Sequence, residues 1–169
     1  MPNCISRASS AAMVAFALML SSATPGGAEG LKPATVSSAT SGVIAQKSAY
    51  SVEETVARLK KDIAAKGIVF FQEIDQAALA AKAGIELRPS MLLIFGNPPL
   101  GTQFITANAQ AGLDWPVRML VYRDADGQVW VAWTDFAWIA RRHGVAMREA
   151  QFHMATEVAA SIAASVATR

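Results

Sequence analysis

The residues best equipped to meet a ligand lie in the run Gly96-Asn97-Pro98-Pro99-Leu100-Gly101-Thr102. Its prolines restrict the backbone, its glycines permit close approach, and the Asn97 amide both donates and accepts hydrogen bonds. Thr102 can cap a helix starting there and leave its first amides facing an anion. The same residues also have a structural use, in which Asn97 ties down a sharp strand exit and Thr102 only caps a helix. The loop has no phosphate-binding lysine and so does not argue for a nucleotide.

Asp75, Asp114 and Asp135 invite an acid–base or metal reading. Acid–base work needs carboxylates close together with separated proton affinities, and a metal needs convergent oxygen or nitrogen ligands. The sequence shows neither convergence. Asp75 and Asp135 precede helical patterns and Asp114 precedes Trp115-Pro116, so capping and turn contacts account for all three. His143 follows Arg141 and Arg142 at a predicted helix end, where bases complement the negative pole and satisfy terminal carbonyls. His153 sits within the last helical pattern. Two histidines without metal-binding spacing predict no metal, and no nucleophile elbow is present. No catalytic residue and no cofactor are assigned.

Trp115, Trp130, Trp133 and Trp138 concentrate in one region. Strand alternation puts Trp130 and Trp133 on opposite faces, so they need not form one platform. Trp133 can line a small apolar groove or a subunit interface, and the plain alternative is core filling.

The elements that must hold these residues can be read from periodicity. Residues 43–50 can form a first strand. Ser51 with Glu54 makes a capping box, and Val52, Val56, Leu59 and Ile63 recur at helical spacing until Gly67. Residues 67–74 then read as a strand, and Asp75 caps a short helix ending near Gly84. A further strand over 90–95 runs into the Asn97 loop, and a helix resumes over 102–109. Residues 117–122 and 128–133 flank Asp124-Ala125-Asp126-Gly127, a strong reversal signal that predicts an antiparallel hairpin. Asp135 caps a helix with Phe136, Ile139 and Ala140 inward. The final helix carries Phe152, Ala155, Ala159, Ile162 and Val166 as an apolar stripe. Helices among strands predict an α/β domain, with a mixed or largely antiparallel sheet carrying packed helices.

The ends and the charge bound the class. Arg7 and an apolar run of about 10 residues, followed by small residues near Ala23 and Ala28, fit a signal peptide over 1–28 rather than a span of about 20. A flexible segment over 29–42, containing Pro33 and several Ser and Thr, leads to one domain over 43–169. Export to the periplasm or beyond follows, with Cys4 lost and no integral membrane association after processing. Lys and Arg total 15 against 13 Asp and Glu, giving +2, which argues against a nucleic-acid partner.

Several blocks carry a family resemblance: 67–70 through Ile74-Asp75, Leu93-Ile94-Phe95-Gly96-Asn97-Pro98, Gly112-Leu113-Asp114-Trp115-Pro116, Asp126-Gly127 and Ala140-Arg141-Arg142-His143-Gly144. Together they resemble the domain-of-unknown-function 302 family from about Val43 onward. The resemblance implies a compact α/β fold and a capacity to dimerise, and no settled reaction. The chain departs from that pattern at Gln76, where relatives often carry His, at Pro99, where Lys is frequent, and over Trp133-Thr134-Asp135-Phe136. Roles of the absent His and Lys therefore do not transfer. The reading is an exported ligand-binding or protein-interaction domain, with a small molecule or protein as partner and a homodimer as its state. The hairpin and the final helix, with Ile162 central, are the candidate interface. A small hydrolase and a structural self-associating protein are the alternatives.

Overall fold

A computed structural model describes residues 35–38 and 41–167. Its elements are strands β1 (Thr35–Ser38) and β2 (Val43–Lys47), helix α1 (Val52–Ala65), strand β3 (Val69–Asp75), helix α2 (Gln76–Lys82) and strand β4 (Ser90–Gly96). Helix α3 (Pro98–Ala107) and a 3-10 turn (Ala109–Leu113) lead to β5 (Val117–Arg123), β6 (Val129–Thr134), α4 (Phe136–Arg142) and α5 (Glu149–Ala164).

Local signals place most boundaries. The Ser51 hydroxyl accepts from the Glu54 amide at 3.2 Å and starts α1. The Asp75 carboxylate accepts from Ala78 N at 2.8 Å and starts α2, and Asp135 accepts from Ala137 N at 2.9 Å and starts α4. Each cap satisfies an amide that the first helical turn leaves without a partner. At the hairpin, Asp124 Oδ1 accepts from Asp126 N at 3.0 Å and from Gln128 N at 2.9 Å. Gly127, at φ 81°, takes the left-handed position there that a side chain would strain.

The sheet has six strands in the order β1-β2-β6-β5-β4-β3, and all five pairings are antiparallel. This is the mixed α/β domain expected, with the sheet at the antiparallel end of the anticipated range. Strand alternation divides its two faces. Leu93, Phe95, Met119, Val121, Val131 and Trp133 are buried on the face that packs with the helices. Leu92, Ile94, Leu120 and Tyr122 occupy the alternate positions and are partly buried.

Two helices dominate the core. Val52, Val56, Leu59 and Ile63 of α1 and Phe152, Ala155, Ala159 and Ile162 of α5 join the strand residues in one buried cluster. The Gln46 amide donates to the Ala163 carbonyl at 2.7 Å and ties the buried side of β2 to α5. Ile162 has no exposed surface within a single chain. Its burial contributes about 2 kcal/mol to the domain itself. The expectation that Ile162 stands at the centre of a dimer interface is therefore corrected, because that face of α5 is already buried in the core of its own chain.

Three other expectations give way. The first strand of the sheet is Thr35–Ser38, inside the segment read as a flexible approach. Its backbone pairs with β2 from Thr35–Gln46 to Ser38–Val43, so pairing rather than its own patterning makes it a strand. The expected strand over 43–50 is the second one and ends at Lys47. The helix expected over 102–109 begins at Pro98 and stops at Ala107, where Asn108 caps the 3-10 turn through a bond from Gln110 N at 2.9 Å. The expected signal peptide over 1–28 lies outside the described residues.

Candidate functional site

The β4–α3 corner is built around Asn97. Its side-chain oxygen accepts from Leu100 N at 3.2 Å, and its carbonyl accepts from Gly101 N at 2.8 Å. Pro98 and Pro99 fill the first two helical positions, where a missing N–H costs nothing and the fixed φ suits the helix. Two prolines that look like a break thus begin α3. Thr102 is an exposed residue within that helix and does not cap it, which corrects its expected role.

The glycines of the corner make room for Trp115. A Cβ on Gly101 would overlap the Trp115 indole, and one on Gly96 would come within 3.2 Å of it. The ring also meets Phe71 edge-on at 6.1 Å between centroids. Under this corner is an apolar cleft of about 40 Å³, bounded by Phe95, Leu100, Trp115, Phe136 and Val158. That is space for a few atoms, since one water-sized probe needs roughly 10–15 Å³. A wider depression of about 360 Å³ adjoins it, sharing Ile68, Asn97, Leu100 and Val158 and adding Lys66, Glu157 and Ser161. The two form one mainly apolar groove whose wider part also carries Lys66, Asn97, Glu157 and Ser161. There, Lys66 pairs with Asp62, and Glu157 lies 3.5 Å from His153.

A second constellation forms around Asp114, whose side chain is only 4% exposed. His143 Nε2 lies 2.6 Å from Asp114 Oδ2. Arg118 donates from one terminal nitrogen to Asp114 Oδ1 at 3.2 Å and to the Leu113 carbonyl at 3.0 Å. Arg142 reaches both carboxylate oxygens, at 3.3 and 3.2 Å. The Asn108 amide donates to the His143 carbonyl at 2.8 Å and fixes the end of α4. Asp114 is therefore a buried anion shared by three basic side chains rather than the local turn contact expected. His143 occupies the helix end as expected and is buried as well. No Ser, Thr or Cys side chain bonds to the His143 ring among the described residues, so the dyad lacks a hydroxyl or thiol nucleophile in contact.

The remaining candidates stand apart. Asp75 and Asp135 cap their helices, and Asp135 also lies 4.0 Å from Arg141. Trp133 is 5% exposed within the core, and its Nε1 has no hydrogen-bond partner among the described residues. It fills the core behind β6 instead of lining the groove, where Trp115 stands. Among the described residues no group of three His, Cys, Asp or Glu side chains is arranged to hold a metal ion. Sequence reasoning does not single out Arg118, Arg142, Leu100, Trp115 or Val158 as site residues; the four-residue spacing of Arg118 from Asp114 is a faint signal that the turn into β5 makes a contact.

Comparison with known proteins agrees with this fold. Residues 44–168 match a family described as "Domain of unknown function DUF302". A protein named fluoride-specific ion channel FluC 1 from Brucella suis biovar 1 (strain 1330) is 38% identical over 107 residues, covering 63% of this chain and 42% of that protein. FluC 1 from Brucella abortus biovar 1 (strain 9-941) is likewise 38% identical over 107 residues, 40% of its length. The chain thus spans about two-fifths of the curated relatives it matches. Among the described residues no helix is long and apolar enough to cross a membrane. The crystal structure of an uncharacterized conserved DUF302 protein from Bacillus stearothermophilus superposes with a TM-score of 0.68. It is 13% identical, with 74% of this chain and 98% of that chain covered, and is similar in fold.

Proposed function

Because the chain belongs to the DUF302 family, a domain of unknown function, we propose that it is an exported, non-enzymatic binding domain whose ligand enters the groove beside Trp115. The observation that carries this reading is the continuity of the apolar cleft with the wider depression through Ile68, Asn97, Leu100 and Val158. Binding sites combine an apolar lining with a few directional polar groups, and this groove has both. The ligand is a small molecule with a compact apolar end and a hydrogen-bonding end. The Leu100 and Trp115 walls receive the first, and Asn97 and Ser161, which line the wider part, receive the second.

The test is fluorescence titration with 1-anilinonaphthalene-8-sulfonate, comparing the wild type with Val158→Phe. The larger side chain fills the cleft at its α5 wall while keeping the helix apolar. Saturable binding that the substitution removes, with an unchanged circular-dichroism spectrum, supports the groove. Equal binding by both proteins refutes it.

A homodimer is the second reading, and a particular surface favours it. Helix α2 has no buried residue, and Val69 and Phe71 of β3, Leu79 of α2, and Ile85 and Leu87 before β4 are exposed. β3 is also an edge of the sheet, whose outer backbone groups can pair with another strand. A second copy covering this strip would bury apolar side chains that one chain leaves in water. The fluoride-specific channels match over two-fifths of their length, so their named activity is not carried over.

A further inference from the structure

We infer that Arg118 and Arg142 form an oxyanion-binding site, separate from the groove. One buried carboxylate, Asp114, holds two guanidinium groups and an imidazole, so even with His143 neutral the cluster keeps one positive charge in excess. Arg141, next to Arg142 in the chain, has its own carboxylate partner in Asp135 at 4.0 Å.

Geometry makes that excess usable. Asp114 Oδ1 lies 3.2 Å from an Arg118 nitrogen and 3.3 Å from an Arg142 nitrogen, so the two forks are held beside one atom. Each guanidinium spends one terminal nitrogen on that carboxylate, and its remaining donors have no other acceptor among the described residues. Both side chains are close to half exposed, at 49% and 44%, whereas the carboxylate beneath them is covered. The cost of bringing two cations together is already met by Asp114, so an incoming anion finds the pair assembled. Planar forks with free N–H groups recognise carboxylate and phosphoryl oxygens in two-point contacts. The Arg142 guanidinium also lies 5.3 Å from the Trp138 ring centroid, which restricts its swing and puts a reporter beside the site.

The ligand chemistry assigned is an oxyanion, a phosphoryl or carboxylate group bridging Arg118 and Arg142. The experiment uses the full chain and two probes, inorganic phosphate and acetate, in parallel calorimetric titrations at constant ionic strength set with chloride. Arg118→Gln and Arg142→Gln are the test variants, and Arg58→Gln, which removes a guanidinium from the α1 surface, controls for net charge. Each test variant leaves Asp114 two of its three basic partners, and circular dichroism and the thermal midpoint check that it folds. The expected result is saturation by at least one anion, weakened about tenfold or more in both test variants and unchanged in Arg58→Gln. Comparing the two probes identifies the anion class. No saturation by either probe, or equal weakening in all three variants, overturns the site.

Discussion

Asp114 and His143 are 29 residues apart in the chain and 2.6 Å apart in space, joining the turn before β5 to the end of α4. Their contact lies under Arg118 and Arg142 and makes one buried carboxylate the anchor of three elements. Asp114→Asn keeps the size and removes the charge. Breaking a buried ion pair costs roughly 3–5 kcal/mol, and the half-exposed arginines lower this because water can take up their charge. The expected loss is about 2–4 kcal/mol of unfolding free energy in urea titration, with His143→Ala losing less. A variant as stable as wild type would remove the anchoring role.

Gly101→Ala separates backbone preference from packing. Alanine favours a helix over glycine by about 1 kcal/mol, which alone would stabilise α3. Its Cβ would overlap the Trp115 indole, and the forced shift outweighs that gain at about 1–3 kcal/mol. The variant is expected to be less stable and to shift the tryptophan emission. Increased stability would show that Trp115 does not rest on this glycine.

Folding and assembly should separate at two residues. Ile162→Lys puts a charge where no surface is exposed and is expected to cost at least about 4 kcal/mol, leaving little folded protein. Ile85→Lys replaces a side chain that is 62% exposed and should leave the thermal midpoint within a degree or two, on the order of a surface substitution. If the chain dimerises through the β3–α2 strip, Ile85→Lys shifts it towards monomer in analytical ultracentrifugation. A dimer insensitive to both Ile85→Lys and Leu79→Lys would place the interface elsewhere.

At the hairpin, the Trp130 indole donates to Asp124 Oδ2 at 2.6 Å and holds that carboxyl below its ordinary value of 3.8, with the Gln128 and Asp126 amides adding to the shift. The folded pKa is depressed, so this contribution to stability is present above the unfolded value and disappears as pH falls through the folded one. The stability difference between wild type and Asp124→Asn should hold steady from neutral pH to about 5 and shrink below about 4. Trp130→Phe should remove most of that pH dependence. A difference independent of pH would rule out the carboxylate form as the bonded one.

Devices that act within a few residues could be read from the chain. Ser51, Asp75 and Asp135 cap the helices they precede, and Asp124 with Gly127 turns the hairpin. The Phe152–Val166 stripe named the buried side of α5, but periodicity does not say whether a sheet or a second subunit covers it. Pro98 and Pro99 end the strand as their sequence suggests, but the same residues also suit the first turn of a helix, so the start of α3 four residues before Thr102 was not legible. Thr35–Ser38 became a strand through pairing with β2, which its own residues do not announce. The candidate site was legible residue by residue and illegible as an arrangement. Asp114 and His143 were both candidates, yet only tertiary packing joins them, and Trp115 meets Gly101 because two separate segments converge.

Native mass spectrometry of protein purified from its own host tests the groove beside Trp115 most directly. The wild type is expected to carry one non-covalent small-molecule adduct. Val158→Phe, with the same circular-dichroism spectrum, is expected to appear without it. The same adduct on both proteins, or none on either, would contradict a ligand held in the cleft between Leu100, Trp115 and Val158.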